Sequence, residues 1–185
     1  MNSMLSIVLG MALAGQTASP RYFPEGSFDD SQKLSERRDD WYSQELRKLG
    51  EPSLLDMSKG KDVQVYRFLW LRAFHHPVCI RLDVLPDGTG LLTTKMLSGV
   101  DGEKDTKLIL NDQQVLNRTD WFLTLFSKQG FWDIKPFDHS VMGFDGAEWI
   151  IEVAKEGKYH VVDRWSPEKG PVYSLGMAML RMSKL

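Results

Sequence analysis

Apolar and polar positions alternate most clearly from Val78 to Val84. Val78, Ile80, Leu82 and Val84 fall on one side of an extended chain, and Cys79, Arg81 and Asp83 on the other. Just upstream, residues 63–74 are apolar or aromatic at most positions, the pattern of a strand covered on both faces. His75-His76-Pro77 reads as its turn. Pro86-Asp87-Gly88-Thr89-Gly90 is a strong turn, because proline pre-sets one dihedral and glycine supplies a positive one. Leu91 to Leu97 then returns as the partner strand, and Lys107 to Leu110 adds a short one. A second strand pair, Trp149 to Ala154 and Tyr159 to Trp165, closes around Glu156-Gly157.

Helical spacing marks three further segments. Tyr42, Leu46 and Leu49 lie on one face of a helix from Trp41, which Asp39 or Asp40 can cap and Gly50 can end. Arg118 to Lys128 reads as a helix with Asn117 as its cap and Asp120 near its positive end. Gly130 stops it, so that Phe131 can fold back on Phe126. Asn117-Arg118-Thr119 also has the form of a glycosylation sequon, which matters only on a eukaryotic secretory route. Pro171 starts a last helix with Val172, Leu175, Met179 and Met182 on one side. This order predicts an α+β fold: an antiparallel sheet of about five or six strands, helices packed on one face, two layers.

The first 20 residues carry no charge, and the first charged side chain is Arg21. The apolar run from Met4 to Gly15 is about twelve residues long, short of the roughly 20 needed to span a bilayer. Residues 1–20 therefore read as a signal peptide, with cleavage near Ala14 or near Ser19. A buried N-terminal core segment is the alternative, because a basic start is missing. Residues 21–40 read as a flexible lead-in, and residues 41–185 as a single domain. Net charge is −2 with both signs interspersed, so there is no footprint for nucleic acid or for an anionic membrane surface. No stable membrane insertion is expected once the leader is removed. The single cysteine, Cys79, excludes an intramolecular disulfide and reads as a buried thiol.

Candidate chemistry concentrates on the second hairpin. A short loop at Glu156-Gly157 sets Trp149 against Arg164, Ile151 against Val162 and Val153 against His160. The opposite face then collects Glu148, Glu152 and Asp163, with Tyr159 and Trp165 beside them. Three carboxylates on one face can bind a cation or act as acid and base. Equally, they can form a solvated face paired with Arg81 or nearby lysines. His160 falls on the other side of the strand from Asp163, as a hydrogen-bonded, half-buried histidine. Gly143-Phe144-Asp145-Gly146 reads as a turn into the strand, with too few ligands for a calcium loop. Four scattered histidines and one cysteine give no zinc spacing. Neither a metal nor a cofactor is expected, and no serine-nucleophile or phosphate-loop signature is present. Of the six tryptophans, Trp41, Trp70, Trp121 and Trp149 have core explanations. Trp132 and Trp165, with Phe137, are the candidate binding residues, because aromatics dominate interaction hot spots. Packing of the local loop onto the sheet explains them as well.

Tyr66-Arg67-Phe68-Leu69-Trp70-Leu71-Arg72, Phe74-His75-His76-Pro77, Pro86-Asp87-Gly88-Thr89-Gly90, Asp145-Gly146-Ala147-Glu148-Trp149 and Tyr159-His160-Val161-Val162-Asp163-Arg164-Trp165-Ser166-Pro167 together resemble a group of small, uncharacterised exported bacterial proteins. The likeness runs from about Leu46 to the C-terminus. It implies a periplasmic or secreted bacterial protein of one domain and transfers no catalytic residue. Besides a purely structural envelope protein, two functions remain in play. One is a non-catalytic binder of another protein or an envelope component, of inhibitor or immunity type. The other is a hydrolase using Glu148, Glu152 or Asp163 with His160 or His139 nearby.

Overall fold

A computed structural model describes residues 21–141 and 143–185; the expected leader lies outside them. In chain order come helix α1 (Gln32–Lys48), the single turn α2 (Leu54–Met57), strands β1 (Gln64–Arg72), β2 (Val78–Val84), β3 (Gly90–Leu97) and β4 (Leu108–Leu116), and helix α3 (Asp120–Lys128). A 3-10 turn at Phe131–Asp133 leads to β5 (Phe137–Asp138), β6 (Ala147–Lys155), β7 (Lys158–Trp165) and helix α4 (Pro171–Ser183). The strands form one seven-stranded sheet in the order β4-β3-β2-β1-β6-β7-β5. Every neighbouring pair is antiparallel except β5 with β7.

Successive side chains on a strand point to opposite faces, and both faces here are buried. On one side Phe68, Ile80, Leu92, Ile151 and Val162 meet Phe122 and Phe126 of α3 and Leu175 and Met179 of α4. On the other, Leu69, Leu71, Cys79, Ile150 and Val161 meet Tyr42, Leu46 and Leu49 at α1, together with Tyr22, Phe23 and Phe28. The expected two-layer packing, with helices on one face, is thus replaced by helical cover on both faces. The reason is β1 itself: with Phe68 and Leu69 each fully buried, neither face can be left to water. The sheet also exceeds five or six strands, because β5 adds an edge, and β4 runs on to Leu116 rather than stopping at Leu110.

Residues 21–40, expected to be a flexible lead-in, are instead built into the structure. Phe23 and Phe28 are fully buried, and their rings meet edge to face with centroids 4.9 Å apart. Burying each is worth about 2 kcal/mol. The helix begins at Gln32 rather than Trp41, and the Phe28 N–H donates to the Ser35 hydroxyl. Asn117 does not cap α3; Thr119 precedes it and donates its hydroxyl to the Gly88 carbonyl. Trp121 is half exposed rather than core. The remaining helical expectations hold: Gly130 is left-handed after α3, Phe131 packs on Phe126, and α4 buries Val172, Leu175 and Met179.

Candidate functional site: an acid pair beneath an aromatic cleft

Glu156 and Gly157 both take positive φ, +50° and +79°, the conformation of a tight two-residue hairpin. That turn fixes the β6–β7 register: Trp149 faces Arg164, Ile151 faces Val162 and Val153 faces His160. Glu148, Glu152 and Asp163 therefore share one face, as expected. The face is not solvated, however, and its partners are not Arg81 or lysines. It lies under α1 and the preceding segment, and the three acids are 4%, 0% and 2% exposed.

Burying an ionised carboxylate requires a partner, and the three acids find two different solutions. Glu152 is clamped by Arg67 of β1, whose Nε and Nη2 donate to its two oxygens at 2.6 and 2.8 Å. The Tyr159 hydroxyl donates to the same carboxylate at 2.8 Å, and the third guanidinium nitrogen donates to the Pro52 carbonyl. Arg67 also lies beneath the Tyr22 ring. Glu51 extends the network to Arg81 at 2.9 Å and Lys95 at 2.8 Å. Burial pushes the Glu152 carboxyl up against the pull of Arg67.

Glu148 and Asp163 share a single arginine. Arg38 of α1 directs Nη1 at Glu148 Oε1 (2.9 Å), Asp163 Oδ2 (3.1 Å) and the Tyr42 hydroxyl (2.8 Å). Tyr42 donates in turn to Asp163 Oδ2. Asp163 Oδ1 is buried and has no hydrogen-bond partner among the described residues. Burial, then the charge of Glu148, pushes the Asp163 carboxyl well up, and Arg38 only partly offsets them. Two buried acids facing one guanidinium nitrogen favour the protonated form of Asp163, which removes a like charge from beside Glu148.

Above this pair opens a cleft of about 260 Å³, lined by Arg38, Trp41, His139, Phe144, Glu148, Asp163 and Trp165, with Asp138 and Gly143 at its rim. Trp41 is anchored by its indole N–H to Asp101, whose carboxyl burial raises to about 6. The loop over the cleft rests on the Trp165 indole. A Cβ at Gly146 would come within 2.5 Å of that ring, so only glycine permits the approach. His139 lies 3.0 Å through Nε2 from both the Phe28 carbonyl and Asp29 Oδ2. Both are acceptors, so Nε2 carries a proton.

The expected site residues thus separate. Glu148 and Asp163 converge with His139, and Trp165 walls the same cleft. Glu152 is sealed away beneath Tyr22. His160 lies on the opposite sheet face, hydrogen-bonded to the Ile134 carbonyl at 2.9 Å and packed on Phe131. Trp132 sits beside that histidine, while Phe137 stacks on His139. Trp132, Phe137 and Trp165 therefore do not form one patch. Among the described residues no group of three or more histidine, cysteine or acidic side chains is placed to hold a metal, and no helix is long and apolar enough to cross a membrane.

Arg38, Tyr42 and Arg67 were not singled out from the sequence. Arg67 carried a signal: it is the lone charge between Val65 and Leu69 on an otherwise apolar strand, and such a charge demands a buried partner. Arg38 and Tyr42 are four residues apart, on one helical face, but the polar run around Arg38 hides the helix. Comparison with family models, curated proteins and solved structures finds no match to this chain.

Proposed function

We propose that this chain is an exported, non-catalytic binding protein that grips another protein or an envelope component through the cleft of Trp41, Phe144 and Trp165. One observation carries the reading. The arginine and the histidine of the cleft are tied to neighbouring groups, whereas one of its aromatic rings, Phe144, is fully exposed. Arg38 holds both carboxylates, and His139 is tied to Phe28 and Asp29. A rigid polar floor under a bare aromatic rim suits recognition, where aromatics supply the contact area. The periplasmic or secreted location, and the inhibitor or immunity type of action, belong to the same proposal.

The test is capture of partners from bacterial envelope extract by the immobilised full chain, repeated with Phe144→Ala and Trp165→Ala. A specific partner should be retained by the wild type and lost by both variants. Equal retention by Phe144→Ala overturns the cleft as the contact.

A hydrolase is the second reading, supported by the convergence of Glu148, Asp163 and His139 on one cavity. There, an acid pair sharing one proton would supply both a general acid and a general base. Turnover of chromogenic ester, amide or glycoside substrates, abolished in Asp163→Asn, would establish it and displace the binding reading.

A further inference from the structure

The two ends of the sheet are finished differently. At one end β5 is two residues long and follows Pro136, a short edge that offers little to a further strand. At the other end lies β4, nine residues long, with the sequence Leu-Ile-Leu-Asn-Asp-Gln-Gln-Val-Leu. It contains no proline and no lysine, the usual devices that blunt an edge. Among the described residues only β3 pairs with it. Within those residues its outer backbone groups meet no further strand, and Ile109 and Val115 are 54% and 71% exposed.

We infer that two copies of this chain pair antiparallel through β4, about a two-fold axis at Gln113. The argument is self-complementarity. The register with β3 shifts between Met96 and Leu97, so the regular run of β4 is Leu110 to Leu116. Turned antiparallel on itself about Gln113, that run sets Leu110 against the partner's Leu116, Asn111 against the partner's Val115 and Asp112 against the partner's Gln114. Gln113 meets its own copy. Apolar residues meet at both ends, and Asp112, the only charge in the run, faces an amide instead of a second carboxylate. A two-fold interface requires a surface that fits itself in this way. The pairing would satisfy the free edge and join two seven-stranded sheets into one. An interface of this length falls in the small, transient class, with a Kd on the order of 10 µM.

Sedimentation velocity of the full chain between about 1 and 500 µM is the test, with two variants. The wild type should pass from monomer to dimer across that range. Asn111→Lys/Val115→Lys, both at exposed positions, should weaken the dimer at least tenfold and leave the fold intact by circular dichroism. Gln113→Cys should form a disulfide-linked dimer under mild oxidation, because Cys79 is buried and silent; Glu36→Cys on α1 should not. A wild type that stays monomeric overturns the inference. So does a dimer indifferent to the lysines, which would mean association through the leader or the aromatic cleft. Failure of Gln113→Cys to cross-link overturns the axis.

Discussion

Glu152 and Glu148 stand four residues apart on one strand, point to the same side of the sheet and are both buried, yet their surroundings differ in kind. Glu152 is gripped at both oxygens by the Arg67 guanidinium, which Glu51 approaches only at 3.7 Å, with Tyr159 as a further donor. Glu148 shares Arg38 with Asp163, and the arginine reaches both through one nitrogen. Arg67 is fully buried, whereas the Arg38 side chain keeps 18% of its surface beside a cleft. The first arrangement is charge-matched and closed; the second is short of one positive charge and open. Where a buried acid is fully paired, it holds the fold together. Where two buried acids share one cation, the proton affinity of one of them rises.

The sharpest way to break this contrast is to remove the closed clamp. Arg67→Leu leaves Glu152 buried without its cation, and stability should fall by about 3–5 kcal/mol, measured by urea denaturation. Replacing both partners, as Arg67→Leu/Glu152→Leu, should recover much of that loss, because the penalty lies in the orphaned charge. A cost below about 1 kcal/mol for the single variant would mean that Glu152 takes a proton as readily as the open pair does, and the distinction would dissolve.

Much of this arrangement was legible in the chain, in a specific order. The Glu156-Gly157 turn and the alternation on either side of it set the register, and the register alone put Glu148, Glu152 and Asp163 on one face. What lay over that face was not legible. Tyr22, Phe23 and Phe28 are isolated aromatics in a polar stretch, without the periodicity that marks an element. Gln32 to Asp40 is too polar to show an amphipathic face, so the helix that brings Arg38 to the acids began nine residues before the expected start at Trp41. Tertiary packing of three aromatic side chains outweighed local composition there. The same omission made the acids look solvated. The sheet-edge pairing of Phe137 with Asp163, which carries the chain to His139, is likewise too short to leave a sequence pattern.

A smaller effect is expected from the open pair. Arg38→Leu removes the one cation shared by Glu148 and Asp163, but the raised Asp163 carboxyl can still take up a proton. The cost should be about 1–3 kcal/mol, below that of Arg67→Leu, and it should grow with pH, because Arg38 is what opposes the upward push on the Asp163 carboxyl. Toward pH 5 protonation of Asp163 relieves the missing cation and the loss is smaller. Toward pH 8 Asp163 is left ionised beside Glu148 without its arginine, and the loss is larger. Urea midpoints at the two pH values decide this. A cost equal at both would show that Arg38 contributes packing rather than charge.

The finest distinction comes from Asp163→Asn. The Asp163 carboxyl titrates higher in the folded chain than in the unfolded one, where it lies near 3.9. It therefore contributes stability that is complete below about pH 4 and is lost as pH rises through its raised folded value. Asn cannot ionise, so the variant lacks this decline. Its amide can still donate to Glu148. Glu152 and Asp101, whose carboxyls are also raised, keep their own share of the decline in both proteins, so the difference between the two pH profiles isolates Asp163. That difference should widen steadily from pH 4 to 8, with the variant the relatively more stable protein at the alkaline end. Parallel profiles would place the titrating proton elsewhere and leave the open acid pair as static as the closed one.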